Sequence, residues 1–194
     1  MLEKLKKHFK ISESDKSSLK WYFPSAGYGE NDGFSDSLLE YFHGNHEKYI
    51  ARETIQNAVD ARLDYGLPVS VVFERFSIPV GDLPGHGEFL DKLSRCLAFI
   101  KGQEKAEHFF KSAIALVKGG KLTILRISDY NTVGLSGADD DVEGNWYRLV
   151  KAAGTSSPKG VAGGSFGIGK GAPIAASALR TVFYSSINEK NETV

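Results

Sequence analysis

Ala51-Arg52-Glu53-Thr54-Ile55-Gln56-Asn57-Ala58-Val59-Asp60-Ala61-Arg62 is the stretch on which the reading of this chain turns. With its neighbours it reads as an amphipathic helix, in which Ile50, Ile55, Ala58, Val59 and Leu63 can line one apolar stripe. The polar set Glu53, Asn57 and Asp60 is harder to explain. Residues three and four apart share a helix face, so two carboxylates and a carboxamide stack along one edge. A solvated face would pair Glu with Lys or Arg at that spacing, and Asn is a middling helix former. A carboxylate beside an amide oxygen is, however, suited to holding Mg²⁺ and orienting a water.

Working outward, the spacing predicts a helix from Glu47 to Tyr65, closed by Gly66 and Pro68. Before it, Ser35-Asp36-Ser37 caps a helix through Leu38, Leu39, Tyr41 and Phe42, which ends near Gly44-Asn45. Residues 11 to 34 read as an irregular N-terminal extension pinned by Trp21, Tyr22 and Phe23. After it, Val69 to Ile78 is a β-rich strand. Glu88 to Ile100 and Glu104 to Val117 have helical spacing and form a helical insertion. Leu122 to Ser128 is a second strand running into Asp129. A short helix over Trp146 to Ala153, a glycine-dense run over Gly154 to Gly171, a small-residue helix over Ala172 to Leu179 and a third strand over Thr181 to Ser185 complete the series. This order describes an α/β layer with helices on one face of a sheet. Three strands are few for an independent sheet, so the expectation is either a fragment of a longer protein or a domain completed by another strand.

The composition is that of an ordinary globular protein, and 194 residues suit one domain with a substantial core. Zero formal charge gives no support to a non-specific polyanion binder. The lone Cys96 lies in the apolar run Leu93 to Ile100 and is expected to be a buried small hydrophobe, in keeping with a reducing cytoplasm. No apolar run approaches the roughly 18–20 residues of a membrane span, and no secretory signal follows Met1 to Lys10. A short N-terminal helix is expected there instead. His43 and His46 lack a third ligand at zinc spacing. Asp139 to Glu143 reads as a solvated acidic loop. For Arg52 and Arg62, a structural salt bridge to Asp60 or Glu74 is the expectation.

Three separated features can meet on one ligand. The first is the Glu53/Asn57/Asp60 edge. The second is Asp129 at a strand end, followed by Asn131, Gly134 and Gly137; strand ends are where ligands commonly sit in α/β sheets. The third is Gly163-Gly164-Ser165-Phe166-Gly167-Ile168-Gly169-Lys170, whose glycines let backbone N–H groups turn towards an anion, with a helix beginning just beyond. Taken singly, each has a plainer reading: a solvated helix edge, a turn cap and a mobile loop. The run Gly164 to Lys170 also begins like a P-loop, but Gly171 stands where Ser or Thr is needed and no strand precedes it. Lys170 either touches a phosphate or is a solvated surface lysine.

In this order, Glu-x-x-x-Asn-Ala-x-Asp-Ala, a strand-ending Asp with glycines after it, and Gly-x-x-Gly-x-Gly resemble the GHKL ATPase superfamily, over roughly residues 35 to 187. That group includes the gyrase B subunit, the heat-shock chaperone ATPases, histidine kinases, MutL and the MORC proteins; the last two are nearest in the lid and in Leu179 to Ser185. The middle motif departs from the family's Asp-x-Gly-x-Gly. Asn131 stands at the first glycine position and one extra residue precedes Gly134. Asn tolerates left-handed backbone angles better than most residues.

The resemblance implies a Bergerat-type ATP-binding fold, a two-layer sandwich of a mixed sheet covered on one face by helices, over 35–194, with an N-terminal strap over 1–34. It implies Glu53 as the general base, Asn57 as the Mg²⁺ ligand, Asp60 as a brace, and Asp129 as acceptor of the adenine amine, directly or through a water. Asn131 and Gly134 would lie on the adenine side. Gly164, Ser165, Phe166, Gly167, Ile168, Gly169 and Lys170 would lie over the phosphates. ATP and Mg²⁺ are the implied cofactors. Slow hydrolysis coupled to lid closure and an ATP-dependent homodimer follow, with the lysine that reaches the terminal phosphate on a later domain. Nucleic acid would be met through domains outside this chain, in genome maintenance or antiviral defence; no membrane is implied. The alternatives are a non-hydrolysing ATP-sensing module and, since histidine kinases carry Asn at the position of Glu53, less readily a kinase.

Overall fold

The computed structural model describes Trp21, Phe42, residues 44–137, residues 144–150, Gly169 and residues 171–193. The expected N-terminal helix, Tyr22 and Phe23, most of the helix before Phe42, the acidic loop, Gly164 to Ile168 and Lys170 lie outside these residues. The described elements are α1 (His46–Asp60), β1 (Ser70–Pro79), a 3₁₀ turn (Val80–Asp82), α2 (His86–Phe99), α3 (Glu104–Lys118), β2 (Lys121–Tyr130), α4 (Asn145–Val150) and α5 (Gly171–Ala176). The chain is mixed α/β, with one two-stranded antiparallel sheet formed by β1 and β2. The Glu74–Arg126 ion pair at 2.6 Å and the bond from Val80 N to Gly120 O at 3.0 Å fix its register.

The described residues fall into two compact units, with the boundary inside both strands. The first contains Trp21 and Arg75–Ile124. Here α2 and α3 pack on one another as an αα-hairpin, burying Phe89, Leu93 and Ile100 with Ala106, Ala113 and Val117. Trp21 is pinned as the aromatic cluster predicts. Its ring stacks on Phe89 at 4.5 Å, and its indole N–H donates to Pro84 O at 3.1 Å. In the turn between the helices, the Gly102 N–H and then Lys111 hold the Glu107 carboxyl below the usual carboxylate range. Cys96 is exposed, which corrects the expectation of burial. The buried stripe of α2 is centred on Leu93, with Leu97 half-buried, and Cys96 lies at its rim.

The second unit lies within Asp32–Glu74 and Leu125–Val194 and carries every described candidate residue. Its α1 packs against α5, with Phe42, Ala172 and Ala175 buried together and Tyr49 edge-on to Phe42 at 5.3 Å. This contact buries two residues of the predicted stripe and leaves the other three exposed. Ile50 and Ala58 are 8% and 5% exposed, whereas Ile55, Val59 and Leu63 are 44%, 51% and 45% exposed. The small side chains of α5 let a helix approach along the 50–54–58 edge, and that edge brings Glu53 to half-burial.

Three further expectations are corrected. Helix α1 stops at Asp60 rather than Tyr65, because Arg62 forms an antiparallel bridge with Thr132 and Leu63 N donates to Asn131 O at 3.0 Å. Helix α5 stops at Ala176 rather than Leu179. Arg180, with φ 51°, turns back and its guanidinium donates to Ala175 O. Thr181 to Ser185 is not a strand. Among the described residues nothing forms a ladder with it; just beyond, Ser186 Oγ accepts from Leu135 N at 2.9 Å, in a segment where Gly134 and Gly137 are left-handed. Among the described residues no helix is long and apolar enough to cross a membrane.

Gly134 is closely surrounded by backbone. Its φ is +69°, and a Cβ there would lie 2.6 Å from Ile187 O and 2.8 Å from Asn188 Cα. Both neighbours are backbone, and Asn188 is itself buried and bonded through Oδ1 to the N–H groups of Lys190 and Glu192. Gly134→Ala is therefore expected to cost on the order of 2–4 kcal/mol. For a chain of this size that is a fall of roughly 5–15 °C in melting temperature, measurable by calorimetry or circular dichroism; an unchanged melt would refute the close approach.

Candidate functional site

Helix α1 exists because its buried edge is apolar and small, and that same packing presents the polar edge. Glu53 is half-buried, Asn57 and Asp60 are exposed, and the three share one side of the helix at i, i+4 and i+7. Asp60 accepts from Gln56 Nε2 at 2.9 Å, so it is engaged on its own helix. Among the described residues the Asn57 carboxamide has no partner, which leaves an amide oxygen one turn from the Glu53 carboxylate. Arg62 does not form the expected salt bridge. Its guanidinium donates to the carbonyls of Asp64 and Leu67 and lies over the Tyr65 ring at 5.4 Å, while Glu74 is taken by Arg126.

Glu53 and Gly169 meet. A Cβ built on Gly169 would collide with Glu53 Oε2 and come within 3.1 Å of its Cδ. The carboxylate thus rests against Gly169, near the end of the glycine-dense run and two residues before α5 begins, where Ala172 N donates to Gly169 O at 3.0 Å. Two of the three sequence features are brought together here. Gly164 to Ile168 and Lys170 lie outside the described residues.

The remaining feature, the strand end at Asp129, is joined to the C-terminal end of α1. Asp129 is the penultimate residue of β2 and is exposed. Past Tyr130 the chain turns at Asn131, with φ 61°, the left-handed conformation that Asn tolerates. Leu63 N donates to Asn131 O at 3.0 Å and Val133 N to Ala61 O at 2.8 Å. The Asn131 side chain is spent on backbone. Its Oδ1 accepts from Asp64 N at 3.0 Å, and its Nδ2 donates to Asp64 O at 2.9 Å and Leu67 O at 3.0 Å. Gly66 N donates to Asp64 Oδ1 at 2.8 Å, tightening the same turn. Asn131 therefore fixes backbone rather than offering a free amide. Thr132 Oγ1 donates to Asp129 Oδ2 at 2.5 Å, the short range of a charge-assisted bond.

Sequence reasoning missed the latch formed by Arg62 and Asn131, and the Thr132 hydroxyl. A Thr three residues after a strand-end Asp was the available signal. Elsewhere in the unit, burial pushes the Tyr184 phenol up.

The donor set suits Mg²⁺ better than a metal held in an all-protein cage. Among the described residues no three His, Cys, Asp or Glu side chains converge as ligands, and Mg²⁺ commonly keeps waters and substrate phosphates with only one or two protein oxygens. The amide oxygen of Asn57 is such a ligand. No family model, curated protein or solved structure matches this chain.

Because the atom nearest a new Cβ at position 169 is the far end of a flexible side chain, Gly169→Ala should be cheap, lowering the melting temperature by at most ~2–4 °C. The cost should vanish in a Glu53→Ala background. A full cost that persists there would show that the two groups do not touch.

Proposed function

We propose that this chain is an ATP-binding and slowly Mg²⁺-dependent ATP-hydrolysing domain of the GHKL type, with a Bergerat-like arrangement of helices and sheet. The observation that carries the reading is the seating of the Glu53 carboxylate against Gly169. A candidate base and the end of an anion-cradling glycine run become neighbours on α1 and the start of α5. The bonds between residues 61–63 and 131–133 support it, since they tie the strand end bearing Asp129 to the helix bearing Glu53 and Asn57.

In this reading each residue has one task. Asp129, acceptor-only when ionised, takes the exocyclic amine of adenine. Asn57 offers its amide oxygen to Mg²⁺, which when bound neutralises charge on the phosphates. Glu53 accepts a proton of the attacking water and orients it in line with the terminal phosphorus. Half-burial limits competing solvent around that carboxylate. Asp60, bonded to Gln56, steadies the helix edge. Catalysis is then positioning and charge stabilisation, as phosphoryl transfer requires. Slow turnover with lid closure suits a switch that controls dimerisation, an assignment by family analogy alone.

Calorimetry with a non-hydrolysable ATP analogue should show Mg²⁺-enhanced binding to the wild type and its loss in Asp129→Asn. Wild-type protein that binds no nucleotide would overturn the reading. Glu53→Ala should retain binding and lose hydrolysis by roughly 10²-fold or more; phosphate release at the wild-type rate would remove Glu53 as the base.

A further inference from the structure

Asp129 is held in a way that its role as an acceptor does not by itself require. Thr132 Oγ1 occupies Oδ2 at 2.5 Å, and among the described residues Oδ1 has no partner. The contact follows from the corner at Asn131. Its left-handed backbone reverses the chain just beyond β2 and brings residue 132 back over residue 129. The corner is locked from three sides. The Asn131 amide is bonded to Asp64 and Leu67, Thr132 is bridged to Arg62, and Val133 N is bonded to Ala61 O. Thr is also stiff at χ1, so the hydroxyl is a fixed donor.

A carboxylate with both oxygens open can rotate about its broad terminal torsion and accept along several directions. With one oxygen committed to a fixed hydroxyl, the other becomes a single acceptor at one place. Such a point favours a ligand edge that presents N–H and disfavours one that presents a carbonyl there, because two acceptors then face each other unpaired. Resting on the nucleotide reading above, we infer that Thr132 is the positioning residue that sets base selectivity. It holds Asp129 as one fixed acceptor for a purine with an exocyclic amine at C6 and against 6-oxo purines.

The test is calorimetric titration of the full chain with ADP and with IDP, each with Mg²⁺, for the wild type, Thr132→Ser, Thr132→Val and Thr132→Ala, beside their melting curves. The wild type should prefer ADP on the order of tenfold or more. Thr132→Ser, which keeps the hydroxyl, should keep that preference. Thr132→Val and Thr132→Ala should bring it close to unity, mainly by weakening ADP, with melting temperatures that do not track the change. If Thr132→Val does not fold, Thr132→Ala carries the comparison. A wild-type preference that survives in both hydroxyl-less variants overturns this inference and leaves the nucleotide reading standing. Equal wild-type affinity for ADP and IDP also overturns it. Wild-type protein that binds neither overturns both.

Discussion

The second unit depends on one corner, the left-handed turn at Asn131. A non-glycine residue at φ 61° is disfavoured unless its surroundings compensate, and here they do so with hydrogen bonds. The amide closes on the backbone of Asp64 and Leu67, the main-chain oxygen accepts from Leu63 N, and Arg62 adds bonds to the same two carbonyls. Because each side-chain atom of Asn131 is used, the turn after α1 and the turn after β2 are held as one piece. Loss of the amide would take from Asp64 N its acceptor and from the Asp64 and Leu67 carbonyls one of their two donors, leaving the turn after α1 tied to residue 131 by main-chain bonds alone.

The same corner explains why α1 is short. Residues 61–65 are good helix material, and nothing local stops them before Gly66. The bridge from Arg62 to Thr132 and the bond from Val133 N to Ala61 O compete for the backbone groups that would continue the helix. Between a fraying last turn and a latched one, the latch offers more bonds per ordered residue. The helix gives way at Asp60.

At its other end, α1 is governed by packing with small residues. Ala172 and Ala175 on α5 allow close approach beside Phe42 and Tyr49, and the approach rolls Glu53 towards Gly169. A larger residue at position 169 would fill the space now taken by the acid.

Local pattern in the sequence was enough for α1, β1, α2, α3 and β2, because their signals are periodic and each fills one face or one ladder. It was also enough to mark Glu53, Asn57, Asp129 and the glycines as chemically odd for their elements. It placed Ile50 and Ala58 on the buried stripe but did not reveal that Ile55, Val59 and Leu63 stay exposed, since an apolar stripe names a face only when its partner is known. Nor did it exclude a strand at 181–185. A ladder needs an extended partner, and among the described residues none pairs with 181–185. The roles of Arg62, Asn131 and Thr132 rest on contacts of which several join residues more than 60 positions apart. The sequence by itself determined the elements and the unusual polar residues upon them. Tertiary structure decided which of those residues meet, because hydrogen bonds between distant backbone groups, rather than local propensity, set where α1 ends and how the chain turns after β2.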